Sequence, residues 1–258
     1  MKKRLWIAAA VLAAFGVGYW LASRRPAAPA ADATPGAAAL GSNVVAVVNG
    51  HVLSQREYAQ RGATLLADAK RTEHLAYAPE KEAEALAHYA KQALRTWIAK
   101  EVMLYGAISA GVKPTVKDEQ TAFGEIARAL ASRKMTPEQF FKEGPLDEAV
   151  KRRDFFDAVM VSCFVRDHVR SKVSATDQDV DARVAELKDL NVKTTKPGQK
   201  PRFHTDRPSV RAMLLAEREA IEMRRTFREL FPKAGVRCPA HPEFETAEGV
   251  EPPTKDKK

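Results

Sequence analysis

The sequence predicts a mostly helical fold with one small β-hairpin near the start of its folded body. Long segments are rich in Ala, Leu, Glu, Lys and Arg, which favour helices, and their apolar residues recur every three or four positions. Patterns typical of strands are scarce, and the strongest is the β-branched run at 44–48. A short strand is also expected at 234–238. We therefore predict a helical domain over residues 44–238 whose two ends meet in one small sheet.

The hairpin prediction rests on a turn between two apolar runs. Asn49 and Gly50 form the strongest short turn signal in the chain, and residues 51–53 resume the apolar character after it. Ser54 follows, with Glu57 three residues later, in the spacing of a capping box. This pattern predicts a tight hairpin with a primed turn that leads directly into a helix.

Apolar periodicity and capping residues predict the remaining helices. They are expected at 80–109, after caps at Thr115 and Thr136, at 146–169, from Thr176 to about 190, and at 209–230. The polar segment 191–208 is predicted to be a loop. The tail at 239–258 is rich in Pro and Lys and is predicted to be disordered.

An uncharged apolar segment precedes the body. Residues 5–22 would rise about 27 Å as a helix, close to the hydrocarbon thickness of a bilayer. We assign 1–25 to a signal-anchor helix and the Ala- and Pro-rich residues 26–43 to a flexible tether. A cleaved signal peptide is the alternative, but the end of the apolar run matches an Ala-x-Ala cleavage site poorly. The predicted anchor residues at the two membrane interfaces are Leu5, Trp6, Tyr19 and Trp20.

The charges at the N-terminus predict the orientation of this anchor. The basic cluster at residues 2–4 favours a cytoplasmic N-terminus. The protein is therefore expected in the inner (cytoplasmic) membrane as a single-pass protein, with its body in the periplasm or an equivalent extracytoplasmic space.

Few residues suggest chemistry. Cys163 lies in an apolar run and is expected in the core, whereas Cys238 and His241 could supply only two of the four ligands that a structural zinc site normally needs. A disulfide between the two cysteines is permitted outside the cytoplasm, but two cysteines do not establish one. The sequence contains no phosphate-binding loop and no metalloprotease or serine-hydrolase motif. We therefore predict no catalytic, metal-binding or cofactor-binding residues.

The formal net charge of +9 raises the question of a nucleic-acid partner. In the last long helix, Arg211, Arg218 and Arg225 recur at seven-residue spacing. Glutamates interleave with these arginines and predict a solvated, salt-bridged face. We therefore predict no nucleic-acid partner. The basic surface either only keeps the protein soluble or also adds attraction for acidic polypeptides.

Three stretches resemble the N-terminal chaperone domain of the SurA/PpiD/PrsA group of extracytoplasmic foldases. Residues 44–58 (VVAVVNGHVLSQREY) resemble the family's opening strand, Asn-Gly turn and first helix. Residues 97–107 (WIAKEVMLYGA) and 111–119 (GVKPTVKDE) resemble its long helix and the start of the next one. Residues 173–180 (VSATDQDV) are similar to the segment that leads into the family's prolyl isomerase domain.

The chain departs from this family after residue 180. A parvulin-type isomerase domain of the family would follow there, but only the loop 191–208 separates the two helices. The resemblance therefore implies a chaperone core that binds unfolded or nascent exported polypeptides without nucleotide. The alternatives are an accessory protein that docks one dedicated partner in an envelope or secretion complex, and a degenerate prolyl isomerase with residual activity. Client-binding residues cannot be named from the sequence, because the same apolar residues could all belong to the core.

Overall fold

The computed structural model describes residues 43–72, 76–131, 133–195, 199, 201 and 203–251, and these are mostly helical. The strands are β1 (Val44–Val48) and β2 (His51–Ser54). The helices are α1 (Gln55–Thr72), α2 (Pro79–Ser109), α3 (Val116–Ala131), α4 (Pro137–Lys142), α5 (Glu148–His168), α6 (Asp177–Thr194), α7 (Arg207–Leu230) and α8 (Ala247–Val250). Short 3₁₀ turns lie at Arg170–Lys172, Phe231–Ala234 and Pro242–Glu245. The mostly helical class with a small antiparallel sheet is confirmed.

The predicted anchor lies outside the described residues. This applies to Leu5, Trp6, Tyr19 and Trp20 and to the tether that follows them. Within the part of the chain that is described, no helix combines the length and the apolar character needed to cross a bilayer. The membrane anchor therefore stays a prediction from the sequence.

The chain divides into two compact units, whereas the sequence suggested one domain over 44–238. The larger unit comprises Met1–Phe164 and Phe227–Lys258, and the smaller unit comprises Val165–Thr226. The smaller unit has its own apolar cluster, built around Val180, Leu187 and Val210. Apolar periodicity did not reveal the division into two units, because a helix shows the same apolar spacing whether it packs in one shared core or in a separate cluster.

The hairpin follows the sequence prediction closely. Asn49 and Gly50 both have positive φ, at 49° and 76°, as a type I′ turn requires. β1 and β2 pair in antiparallel register, with Val48 opposite His51. The predicted primed turn is confirmed.

The C-terminal segment reaches the hairpin, but through one bridge rather than a strand. Val47 and Arg237 exchange two backbone hydrogen bonds, at 2.8 and 2.9 Å. The expected strand at 234–238 is shortened at its start, because Ala234 ends the 3₁₀ turn Phe231–Ala234 and Gly235 is left-handed, with φ 59°. The two ends of the domain therefore meet as expected, over a shorter length.

Helix starts also match the sequence. Four side chains accept a hydrogen bond from the backbone N–H three residues later at 3.1–3.2 Å, which satisfies a donor that the first turn leaves unpaired. These are Ser54, Thr115, Thr136 and Thr176. At Thr136 and Thr176 the reciprocal bond of a full capping box is also present.

The loop expected at 191–208 is shorter than predicted. α6 continues to Thr194 and α7 begins at Arg207. Within the smaller unit, the Asn191 side chain donates to the Phe203 carbonyl at 2.8 Å and accepts from the Phe203 N–H at 2.9 Å. These two bonds anchor Phe203, whose ring packs against the apolar cluster of this unit.

The expectation of disorder from Pro239 onward is corrected for the residues up to Glu251. The turn Pro242–Glu245 and α8 are folded, and Phe244 and Val250 are buried. Disorder was expected because the tail is rich in Pro and Lys, but the part up to Glu251 buries Phe244 and Val250 against the rest of the larger unit. Residues 252–258 lie outside the described residues.

α1 and α2 approach each other closely at Gly62. A Cβ placed on Gly62 would lie 2.6 Å from the Ala90 Cβ and 2.8 Å from the Ala90 Cα. Since real Cβ atoms do not approach this closely, only glycine fits here without a shift of one helix.

We expect Gly62→Ala to destabilise the fold by about 1–3 kcal/mol, because the added methyl group overpacks the contact with Ala90. Gly124→Ala is the matched control, since a Cβ at this position in α3 meets nothing within 4 Å. The control is expected to be neutral or stabilising by up to about 1 kcal/mol. Urea unfolding measures both, and equal effects of the two substitutions would contradict the close approach.

Candidate functional site

Six charged side chains from three helices form a cluster inside the larger unit, which we call the charge network. α1, α2 and α5 each contribute two of them, and none of the six side chains is more than 12% exposed. The charge network consists of Glu57, Arg61, Lys100, Glu101, Asp154 and Asp157. Buried charges are rare unless they are paired, so this cluster is the most unusual chemical feature of the described residues.

Lys100 lies at the centre of the charge network. Its Nζ is 2.7 Å from Asp154 Oδ1, 2.8 Å from Glu101 Oε1 and 3.2 Å from Asp157 Oδ2. Three carboxylates thus match the three N–H donors of the ammonium group. Burial alone would lower the pKa of Lys100, but these carboxylates, led by Asp154, outweigh it and raise the pKa above its ordinary value. Lys100 is therefore a cation in the folded protein.

Arg61 connects α1 to Asp154 of α5, which also binds Lys100. Its Nη2 lies 2.7 Å from Asp154 Oδ2 and 2.7 Å from Glu57 Oε1, and its Nε donates to Glu57 at 3.0 Å. Burial alone would lower the pKa of Arg61, but the charges of Asp154 and Glu57 outweigh it and raise the pKa above its ordinary value. Glu57 also accepts from Arg153 Nη2 at 2.9 Å. Its carboxylate is therefore engaged by two arginines instead of closing the capping box at Ser54.

His51 links the charge network to solvent. Its Nδ1 lies 2.7 Å from Glu101 Oε2, and the His51 side chain is 36% exposed. A carboxylate can only accept, so the Nδ1–H of His51 donates to Glu101. Burial would raise the pKa of Glu101, but the hydrogen bond from His51 and the charge of Lys100 lower it to about 2. Glu101 is thus ionised over the whole physiological range.

This arrangement is suited to cohesion rather than to acid–base chemistry. Each carboxylate is held by one or more cationic groups, and these contacts favour the charged forms of Lys100 and Glu101. Among the described residues, no group of three or more His, Cys, Asp and Glu side chains is placed to hold a metal ion. Buried ion pairs are costly to desolvate, and a role in fixing one packing arrangement is the best-supported reason for keeping them.

One signal for the charge network is present in the sequence and was overlooked. Glu101 falls four residues after Trp97 and three after Ile98, so it stands on the apolar stripe of α2. A charged residue at a core position indicates a buried partner. Asp154 and Asp157 gave no such signal, because they follow a basic run and resemble part of a solvated helix face.

The cysteines occupy separate places in the larger unit, and both are buried. Cys163 packs in an apolar cluster with Ile126, Leu130, Phe155 and Val159. The Cys238 thiol donates to the Val45 carbonyl at 3.5 Å, and burial raises its pKa to about 11. The His241 ring lies 3.3 Å through Nε2 from the Tyr58 hydroxyl. Cys238 and His241, the two candidate metal ligands, are thus each engaged in a hydrogen bond within the larger unit.

The arginine stripe of α7 is paired with acids, as expected, but the main partners come from another helix. Arg218 Nη2 lies 3.0 Å from Asp179 Oδ1, and Arg211 pairs with Asp177 of α6. Arg225 lies 3.9 Å from Glu222 on its own helix. The pairs of Arg211 and Arg218 connect α6 and α7 within the smaller unit.

Large apolar side chains are exposed at a few positions in each unit. In the larger unit these are Val52, Leu86, Ile108, Val116 and Phe123, and in the smaller unit Val192 and Ile221. Val116 and Phe123 are seven residues apart on α3 and therefore lie on the same side of that helix. We call these two residues, which lie two turns apart, the α3 strip.

We expect Lys100→Met to destabilise the protein by about 3–5 kcal/mol, because it leaves three buried carboxylates around an uncharged side chain. Lys193→Met removes the exposed pair with Asp189 and is expected to change stability by less than about 0.5 kcal/mol. Chemical unfolding at pH 7 measures both variants. If Lys100→Met is as mild as its control, the charge network does not hold the helices together.

The charge network also predicts a pH dependence. The pKa of Glu101 is lowered from 4.5 to about 2 in the folded state, so ionised Glu101 stabilises the fold above pH 4.5 and progressively less as the pH falls towards 2. We expect Glu101→Gln to lose on the order of 3 kcal/mol at pH 7, with a smaller difference from wild type at pH 3. Glu84→Gln, on the exposed part of α2, is the control. A constant difference between pH 7 and pH 3 would contradict the role assigned to Glu101.

Comparison of the chain with protein-family models, with curated proteins and with solved structures found no match in any of the three. The similarity to the SurA/PpiD/PrsA group therefore stays a prediction from the quoted motifs.

Proposed function

We propose that this protein is a membrane-anchored extracytoplasmic chaperone that holds unfolded or translocating polypeptides by reversible apolar contact, without nucleotide. The α3 strip is the observation that supports this most directly. Val116 is 62% exposed and Phe123 is 36% exposed, although both continue the apolar face of a helix whose Ile126 and Leu130 are buried. Covering such side chains with a client's apolar residues is favourable, at about 25 cal/mol per Å² of apolar surface.

The buried half of α3 gives the strip a fixed position. Ile126 and Leu130 pack in one cluster with Phe155 and Val159 of α5. The exposed half is thus presented by a rigid support rather than by a loose segment. A small apolar contact of this kind suits weak and reversible binding of many polypeptides, because affinity from so few residues is limited.

The location rests on the sequence. The apolar segment 5–22 and the basic residues 2–4 favour an anchor with an exported body. The likeness of residues 44–58 to the opening of the SurA/PpiD/PrsA chaperone domain supports the same compartment and the same kind of client. The net charge of +9 adds attraction for acidic clients.

An accessory protein that docks one dedicated partner is the second candidate. It is favoured by the small size of the α3 strip, since two exposed apolar residues could complement a folded surface as well as an unfolded chain. Breadth of binding separates the two functions: a chaperone binds many unrelated unfolded proteins, whereas an accessory protein binds one folded partner.

The test is suppression of aggregation by a fragment of residues 41–258, which contains every described residue. Two or three unrelated denatured proteins are followed by light scattering, with the fold of the fragment checked by circular dichroism. We expect suppression of all of them at near-stoichiometric ratios. A folded fragment that suppresses none would overturn the chaperone proposal and leave the dedicated partner.

Variants then locate the contact. The double substitution Val116→Ser and Phe123→Ser is expected to raise the ratio needed for half suppression about fivefold, equivalent to a loss of about 1 kcal/mol of apolar contact. Val192→Ser with Ile221→Ser removes exposed apolar side chains from the smaller unit and should leave the ratio unchanged. Equal losses in both double variants would show that the α3 strip is not the client-binding surface.

A further inference from the structure

Residues 239–251, which we call the strap, are attached to the rest of the larger unit in an unusual way. The backbone–backbone hydrogen bonds recorded for the described residues of the strap stay between residues 238 and 251. Just before it, in contrast, Arg237 is bonded to Val47 of β1 through its backbone. None of these backbone hydrogen bonds joins the strap to a helix or strand outside it, so lifting the strap would break none of them.

Side chains hold the strap in place. Phe244 and Val250 are buried, and the centroid of the Phe244 ring lies 5.7 Å from Lys91 Nζ and 5.5 Å from Arg95 Cζ, both of α2. Glu243 lies 2.6 Å from Lys91. Glu251 accepts two bonds from Arg228, both at 2.7 Å.

The surface under the strap is thus basic, and two of its cations bind an aromatic ring. We call it the strap groove and define it by Tyr58, Lys91, Arg95 and Arg228. Arg95 Nε is buried and has no hydrogen-bond partner among the described residues, so the groove contains a donor that the strap leaves unused. An acidic side chain of a bound peptide could accept from it.

We propose that the strap is a detachable segment of this chain that occupies a binding groove for acidic, aromatic-containing segments of client polypeptides. The strap itself carries this chemistry, since Phe244 is flanked by Glu243 and Glu245. A client segment with an aromatic residue between acidic residues would take its place through the same cation–π and ionic contacts. The inference rests on the proposed chaperone function and names the chemistry of one class of client.

One exposed ion pair offers little resistance to opening of the strap. Lys91 and Glu243 are both about half exposed, so solvent screens this pair. The Glu251 side chain is only 9% exposed, so release depends on withdrawing Phe244, Val250 and Glu251 from their buried positions. A client competes with the strap for the groove, and its apparent affinity is reduced by the fraction of molecules in which the strap is closed.

The experiment uses the full chain in mild detergent and a fluorescein-labelled peptide of residues 239–251, with binding measured by anisotropy. Phe244→Ala weakens the strap's own hold on the groove without changing the groove. We expect this variant to bind the peptide with a Kd at least about tenfold lower than wild type. Ile221→Ala, an exposed apolar truncation in the smaller unit, should bind as wild type does.

A control peptide tests the chemistry. With its four glutamates replaced by glutamine, the peptide is expected to lose most of its affinity for Phe244→Ala. Folded Phe244→Ala that fails to bind the acidic peptide, or that binds both peptides equally, would overturn the proposal. Loss of peptide binding together with intact suppression of aggregation would overturn the strap groove alone and leave the chaperone function standing.

A second measurement covers the case in which Phe244→Ala does not fold. In wild type, native-state hydrogen exchange compares the amide of Cys238, which donates to Glu245 Oε1 of the strap at 2.6 Å, with the amide of Val102 in α2. Faster exchange of the Cys238 amide, through an opening that leaves α2 protected, supports detachment. Exchange of both amides only through a common global opening would overturn it.

Discussion

The arrangement of the larger unit depends on the ammonium group of Lys100. This one cation lies between Asp154 and Asp157 of α5 and next to Glu101 on its own helix. Apolar side chains tolerate small sliding movements, since dispersion and burial have little directionality. Buried charges do not, because a shift of a few ångströms leaves them without a partner in a medium of low dielectric constant. Lys100 and its carboxylates therefore select one register of α2 against α5.

The close contact at Gly62 and the charge network depend on each other. Arg61 reaches Asp154 only if α1 lies near the interior, and the missing side chain of Gly62 lets α1 approach Ala90 of α2. The attraction between Arg61 and Asp154 in turn favours this approach. A large side chain at position 62 would thus separate α1 from α2. It would also move Arg61 away from the buried carboxylate of Asp154. Packing and electrostatics act here as one constraint.

Sequence reasoning succeeded where structure is decided by residues close together in the chain. The turn at Asn49–Gly50 and the cap at Thr136 involve positions within four residues, so their signals are complete in the local sequence. It failed where the partner is distant: Glu57 looked like half of a capping box, but its carboxylate binds Arg61 and Arg153. The prediction of disorder for the strap was wrong for the same reason. The burial of Phe244 depends on cations of α2, and the composition of the strap does not indicate them.

The contrast between the charge network and the strap bears on how a chaperone without nucleotide could release its clients. The helices around Lys100 are held by buried charges, so they form a rigid support, whereas the strap is joined to that support by side chains alone. On the proposed function, a client that enters the groove must displace a tethered competitor of similar chemistry. The tether keeps that competitor at a high local concentration, so the strap recloses whenever the client partly dissociates. Strap closure would then limit residence time, and release would need no hydrolysis because the folded chain supplies the competing segment.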